Sequence, residues 1–470
     1  MMYPPVTVCD LLQSLDQIVD AVSPKIGRSG VEEVVEPVFK KLFAIEAHQE
    51  FRMWHIAVLF LSPLLVHAVP EQVHLAFHGN FSSMGVVWTT FDKEDSTVHY
   101  GNSPSWMPYN VTASRKSWQF DGITRYTYKG VMKGLLPDTV YWYKVGSRTF
   151  QFKTMPEHPK SYRVRYKIGS RTFQFKTMPE HPKSYRVCIF GDLGYEHGNS
   201  TASIIRNGLA GKFDFIVHVG LYAYSVSSDS GRRGDKFLNE LEPITSRVSR
   251  ISLCHNSSNL VTLATQKAPK SYDDLPNLHF IYVPYMVVAG NHENDGQNFT
   301  NFQERFQMPP NGFHDNQFYS FDLGPIHWVA LSTEYYGYYY TLGKEPVFNQ
   351  YDWLKEDLKL ANTNRQKTPW IVAYLHRPFY CSAAHNNDCT GSDNQMIRVG
   401  YDGMPGLEKP FLKYGLDLGF WGHIHNYERL YPVADMQYWN STDCYHNAVA
   451  PTYIITGSAV SIVLKCDQIF

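Results

Sequence analysis

Neither sign of charge dominates this sequence: 43 Lys and Arg stand against 44 Asp and Glu over 470 residues, a net charge of -1. That balance excludes the basic footprint with which proteins grip nucleic acid or anionic lipid. A membrane-spanning run is missing as well. The most apolar stretch, Met53 to Ala68, falls short of the ~20 residues that cross a bilayer as a helix. Cysteine is sparse, seven in the whole chain; Cys381 and Cys389 are close enough to be bridged across one loop, and the connectivity stays open. What the chain has in quantity is aromatic residues, 32 of them Tyr, which tilts it towards a β-rich, sugar- or phosphate-handling surface. Its length suffices for two or three domains with buried cores.

The apolar stretch 53–68 ends in Val66-His67-Ala68 and reads as a secretory signal peptide, because Pro63 would break either a buried strand or a helix. Residues 1–52 then form an N-terminal extension upstream of that signal, an over-extended start. Six Asn-x-Ser/Thr acceptors, at Asn80, Asn110, Asn199, Asn256, Asn298 and Asn440, agree with passage through the secretory route. The expectation is a secreted or lysosomal glycoprotein with no membrane attachment after signal cleavage.

From residue 69 to 164, short alternating segments (Val73–Phe77, Met84–Thr90, Thr97–Tyr100, Arg125–Lys129, Val140–Val145) have the spacing of a β-sandwich of fibronectin type III kind. Gly134 to Tyr141 matches a tyrosine corner. Tyr143–Val164 then recurs as Tyr166–Val187 with Val145 changed to Ile168. One such repeat does not make a solenoid, which needs several stacked copies. Only one copy can close the sandwich and lead onward, so residues 165–186 are expected to be a duplicated segment forming a loop or an edge hairpin.

Residues 187–470 read as an α/β domain. Buried strands are expected at Val187–Phe190, Phe215–Val219, Met286–Ala289 and Trp370–Tyr374, with helices at Ser203–Lys212, Asp235–Thr245 and Tyr351–Asn362. In such sheets the loops leaving the strand C-termini line the ligand site. Those loops carry Asp192, Tyr224, Asn291 with His292, His376, and His423 with His425. Carboxylate, phenol, amide oxygen and imidazole together suit Fe, Mn or Zn rather than thiolate-seeking metals.

On these motifs and their order the chain resembles the purple acid phosphatases, calcineurin-like metallophosphoesterases, and most of all those of animals. The resemblance implies an α+β two-domain protein: the sandwich followed by a metallophosphoesterase domain of two mixed sheets flanked by helices. It also implies Fe(III) on Asp192, Tyr224 and His425, and a second divalent Fe, Zn or Mn on Asn291, His376 and His423. His292 would face the substrate, as would His385 in a more variable loop. The implied reaction is hydrolysis of small phosphomonoesters at acidic pH by metal-hydroxide attack at a dinuclear centre. A homodimer stays open.

The chain also departs from that pattern. Where the family has an Asp bridging the two metals, in Gly-Asp-x-x-Tyr, this chain has Leu221, which offers no lone pair. Residues 249–283 form an atypical insert, and after Ala459 the usual closing strands are replaced by Val460–Phe470, a truncated C-terminus. The alternative is therefore a catalytically impaired or inactive glycoprotein that keeps the scaffold. A cytosolic phosphoprotein phosphatase is disfavoured by the signal, the acceptors and Tyr224, and a purely adhesive sandwich would leave the ordered donors unexplained.

Overall fold

A computed structural model of the chain describes residues 69–79, 82–103, 105–136, 139–146, 148–153, 185–195, 198–246, 283–382, 389 and 391–457, all within one compact unit. The extension 1–52, the signal 53–68, the segment 165–186 apart from Tyr185 and Arg186, the insert 249–283 apart from Val283, His385 and the tail after Gly457 lie outside the described residues.

The N-terminal part is a sandwich of two antiparallel sheets. One has the order β1 (Glu71–Phe77), β2 (Met84–Thr90), β6 (Ile123–Met132), β5 (Ser114–Phe120); the other runs β4 (Tyr109–Thr112), β3 (Thr97–Gly101), β7 (Val140–Val145), β8 (Arg148–Lys153). β2 is buried along its whole length because it has a neighbour on each edge and the facing sheet on one side. Trp88 stacks on Tyr128 at 4.9 Å in this core. The expected tyrosine corner is present: the Leu136 N–H donates to Tyr141 Oη at 3.1 Å. The first copy of the repeat supplies β8, and the end of the second copy, Tyr185 onward, enters the next domain.

The second part contains two sheets. Parallel strands β9 (Val187–Phe190), β10 (Phe215–Val219) and β11 (Tyr285–Val288) form the first, with α1 (Thr201–Leu209) and α2 (Arg232–Thr245) in the connections. All five side chains of β10, Phe-Ile-Val-His-Val, are buried, as a central parallel strand requires. α2 buries Phe237, Leu238, Leu241 and Ile244, the 3–4 spacing of an amphipathic helix.

After α3 (Thr300–Arg305) a six-stranded mixed sheet follows, ordered β12 (Tyr319–Leu323), β13 (Ile326–Ala330), β14 (Trp370–Leu375), β17 (Leu418–Trp421), β21 (Thr452–Thr456), β18 (Tyr427–Arg429). Helices α4 (Glu334–Gly337), α5 (Tyr339–Leu342), α6 (Glu345–Thr363), α7 (Ser392–Val399) and α8 (Glu408–Lys413) flank it, with two short hairpins, β15 (Gly400–Tyr401) with β16 (Met404–Pro405) and β19 (Val433–Ala434) with β20 (Gln437–Tyr438). α2 and α6 begin before the expected positions: the first turn of α2, Arg232 to Asp235, is polar, whereas α6 opens with Pro346 in its first turn and already buries Val347 on the face that carries Leu354 and Leu358. The two sheets meet where the Gly191 N–H donates to Thr456 O at 2.8 Å. That junction sets β9, β10, β11, β14 and β17 with their C-terminal ends on one side.

A buried polar network joins the sandwich to the second part. Asp235 of α2 receives Arg125 of β6 (Nη2 to Oδ2, 2.7 Å), Arg305 of α3 (Nη1 to Oδ1, 2.6 Å) and Gln72 of β1 (Nε2 to Oδ1, 2.9 Å). Gln72 reaches it because β1 shifts register there, with Gln72 at φ 58°. Trp118 lies under both guanidinium groups at 5.3 Å.

Candidate metal centre

Each predicted metal donor can be placed, and each sits shortly past a strand end; His385, expected to contact phosphate, lies outside the described residues. Asp192 follows β9, Tyr224 follows β10, Asn291 follows β11, His376 follows β14, and His423 and His425 follow β17. The backbone there is unusual: Asp192, Leu221, Tyr224 and His423 all have positive φ, between 48° and 68°. Such strain collects at functional sites, where surrounding contacts hold it. Close approach is possible because the neighbours are glycines. A Cβ on Gly220 would lie 2.4 Å from His376 Nδ1, and one on Gly422 would lie 2.7 Å from Asp192 Oδ2.

The donors gather in two groups. Tyr224 Oη lies 2.9 Å from His425 Nε2, and Asp192 Oδ1 lies 3.7 Å from the same nitrogen. Asn291 Oδ1 lies 2.9 Å from His376 Nε2, whose ring is 5.1 Å from that of His423. Neighbouring donors on one ion at about 2.1 Å are separated by about 3 Å, and one pair in each group, Tyr224 with His425 and Asn291 with His376, stands at that separation. Asp192 adds a direct sign: it is fully buried, Oδ2 accepts the His423 N–H at 2.7 Å, and Oδ1 has no hydrogen-bond partner. A buried orphan carboxylate oxygen aimed at a phenol and an imidazole fits a cation.

Protonation favours the same use. Burial holds His376 and His423 down to about 3, so both are the neutral imidazoles that metals need. His376 Nδ1 is fixed on Val219 O at 2.8 Å, which turns Nε2 towards Asn291. Burial also raises Asp192 to about 6, and burial together with the Asp192 charge raises Tyr224. A bound cation would lower that phenol again. Among the described residues no three His, Cys, Asp or Glu side chains close around one point. Each group has two such side chains and completes itself with Tyr224 or Asn291.

Leu221 lies between Asp192 and Tyr224 in sequence, three residues before the latter, 2 % exposed and at φ 57°. An Asp tolerates that conformation better than a Leu, so the backbone is shaped for a residue the chain does not have. Its N–H and those of Tyr222 and Gly290 all donate to Glu293, at 2.8, 3.1 and 2.8 Å. Glu293 is fully buried, and burial raises it to about 8 despite those three donors. It clamps the loops carrying Tyr224 and Asn291, a role the sequence reading missed. The signal was a Glu three residues after Gly290, the capping-box position. Also missed was Arg377, held by Glu334 at 3.0 Å and Asp393 at 2.8 Å beside His376. Tyr338 Oη donates to Asn291 O at 3.1 Å.

His292 is exposed, its ring 5.4 Å from that of Tyr224. Burial of part of the ring and the His425 charge lower its pKa, so it becomes a proton donor only under acidic conditions. Cys381 and Cys389 are bonded, closing the loop that contains His385.

Comparison with known proteins gives the family. The pattern of the purple acid phosphatase N-terminal domain matches residues 70–177, and that of the calcineurin-like phosphoesterases matches residues 185–427. Acid phosphatase type 7 of Homo sapiens is 34% identical over 404 residues, covering 83% of this chain and 78% of the relative. The chain belongs to the purple acid phosphatases.

The Danio rerio acid phosphatase type 7 is likewise 34% identical, over 407 residues, covering 83% and 78%. Purple acid phosphatase 15 of Arabidopsis thaliana is 27% identical over 430 residues, covering 83% of this chain and 68% of the relative. The solved structure of a purple acid phosphatase from yellow lupin (Lupinus luteus) seeds shares the fold at a TM-score of 0.56 and 21% identity. It covers 83% of this chain, which spans 65% of the lupin chain. As a purple acid phosphatase the chain is an enzyme by class, a phosphoric monoester hydrolase with a sandwich domain ahead of its phosphoesterase domain. No helix among the described residues is long and apolar enough to cross a membrane.

Proposed function

We propose that the chain is a metal-dependent acid phosphatase acting on small phosphomonoesters, with Asp192, Tyr224 and His425 holding a ferric ion and Asn291, His376 and His423 a divalent Fe, Zn or Mn. The observation that carries this reading is the orphaned Asp192 Oδ1 facing Tyr224 Oη and His425 Nε2. When bound, the two ions supply Lewis acidity towards water and the phosphoryl oxygens. The chain's own residues do the rest. Asp192 and Tyr224 offer anionic oxygen to the higher charge, and neutral His376 and amide Asn291 suit the lower one. His292, and His385 from the disulfide-closed loop, would contact the phosphoryl group, and His292 protonated in acid would donate to the leaving alcohol oxygen. Asn110, Asn199, Asn298 and Asn440 are exposed, as glycan acceptors of a secreted or lysosomal protein must be.

Leu221 favours a second reading, a scaffold with impaired chemistry. Without a carboxylate there, less negative charge offsets the repulsion between the ions. Metal analysis combined with a chromogenic phosphomonoester assay at acidic pH separates the two. Two ions per chain with turnover support the enzyme; one ion or none, with turnover appearing only in Leu221→Asp, supports the impaired scaffold. Absence of both metal and turnover in both proteins overturns the site assignment.

A further inference from the structure

The β19–β20 hairpin and the turn that follows it carry an aromatic face outside the metal-donor loops. Register sets Val433 opposite Tyr438, and the Trp439 N–H continues it by donating to Pro432 O at 3.0 Å. The rings of Tyr431 and Tyr438 lie nearly parallel, 23° between planes and 6.5 Å between centroids. Past Trp439 the chain turns, with the Cys444 N–H donating to Ser441 O at 3.2 Å, and returns the Tyr445 ring to Tyr431 at 6.3 Å and 20°. Arg429 stands over Tyr445 at 5.0 Å. Tyr431, Tyr438 and Tyr445 nonetheless remain 48, 65 and 44 % exposed.

A single exposed ring is ordinary, whereas three side by side mark a contact surface. The acceptor Asn440, in Asn440-Ser441-Thr442, is exposed and falls between Tyr438 and the turn that brings back Tyr445. On an extended run, residues i and i+2 project to one side about 7 Å apart, so Asn440 shares the side of Tyr438. Asp435 and Gln437 of the hairpin, and Asp443 and His446 of the turn, are exposed as well. A pyranose matches such a surface: its C–H face meets the negative face of an aromatic ring, and its hydroxyls meet polar side chains. We propose that the first sugars of an N-linked glycan on Asn440 pack on the Tyr431, Tyr438 and Tyr445 rings and are the cover of this face. The inference rests on the secretory reading above. Transfer forms the bond from sugar C1 to Asn440 Nδ2, breaks the sugar–phosphate bond of a lipid-linked oligosaccharide diphosphate, releases the lipid diphosphate, and passes one amide proton to solvent.

The test uses the full chain expressed in cultured animal cells, with peptide mass spectrometry for occupancy and hydroxyl-radical footprinting for exposure. Tyr431, Tyr438 and Tyr445 should be oxidised roughly two- to fivefold more slowly in the glycosylated parent than in Thr442→Ala, which loses the acceptor without touching the rings. Tyr340 and Tyr401, exposed in other loops, should react alike in both. Thr442→Ala should also lower Tm, and that difference should vanish when Tyr431→Ser and Tyr438→Ser are already present. Equal tyrosine reactivity with Asn440 occupied overturns the proposal, as does a bare Asn440 beside glycans on Asn110, Asn199 or Asn298, which leaves the secretory reading standing. Glycan at none of the acceptors overturns both. Protection that persists in Thr442→Ala and fades on dilution assigns the face to a second copy of the chain and overturns the glycan.

Discussion

Two buried polar clusters in this protein have similar ingredients and opposite character. Around Asp235, two arginines and a glutamine occupy both carboxylate oxygens, and only Arg125 Nη1 and Arg305 Nε lack partners. Around Asp192 one oxygen is left bare, the nearby imidazoles are held neutral, and four residues carry strained backbone. The first cluster has both oxygens of its carboxylate engaged as folded and locks two domains together. The second is complete only with something added. Saturation, not burial or charge alone, separates a structural carboxylate from one kept for chemistry.

The sharpest way to break that contrast is to neutralise each carboxylate. Asp192→Asn should lower metal affinity by at least about a thousandfold while leaving the metal-free protein as stable as the parent or more so. Elemental analysis after dialysis against buffered metal, and calorimetric melting with chelator, read the two halves. Asp235→Ala should do the reverse. Stranding two buried guanidinium groups costs about 3–5 kcal/mol of stability, with metal stoichiometry of the folded fraction unchanged. A large loss of Tm in metal-free Asp192→Asn would show that its carboxylate is structural after all.

Next in size is Leu221→Asp. The new side chain enters a site where Asp192 and Glu293 already repel each other electrostatically. The metal-free protein should lose about 1–3 kcal/mol through burial of another carboxylate, softened by about 1 kcal/mol from a residue better suited to φ 57°. Metal affinity should rise tenfold or more. Divergent shifts, down without metal and up with it, identify residue 221 as facing the ions; parallel shifts would place its side chain elsewhere.

The sequence made one of these clusters legible and hid the other. Asp192, Tyr224, Asn291 and His376 stand shortly after apolar runs, so those strand ends could be read from local pattern and the donors from what followed. The Asp235 cluster draws on residues 72, 125, 235 and 305, which no window connects; it exists because β1 bulges and α3 docks on the sandwich edge. Edge strand β5 went unread since most of its side chains face solvent and lack a period. β17 went unread for a different reason: Gly419 interrupts its four residues, and it does so because a Cβ there would lie 2.7 Å from the Tyr453 ring.

The smallest expected effect concerns a third cluster, which tests whether saturation by itself predicts a stabilising role. His327 of β13 has both ring nitrogens engaged, with Asp322 at 2.6 Å and Asp357 at 2.9 Å. Burial pulls its pKa down, yet the hydrogen bonds and charges of the two carboxylates outweigh that and push it up to about 9. A base whose folded pKa exceeds its unfolded value of ~6.5 stabilises the fold fully below that value and loses the contribution as pH rises through the folded pKa. Since Asp322 is largely open to solvent, the contribution is about 1–2 kcal/mol rather than the full shift. Melting curves between pH 6 and 10 should therefore show a decline in the parent that His327→Gln flattens. Identical pH profiles in the two proteins would mean that the paired imidazole carries no stabilising charge, and that saturation marks structure only when, as at Asp235, the whole cluster is sealed from water.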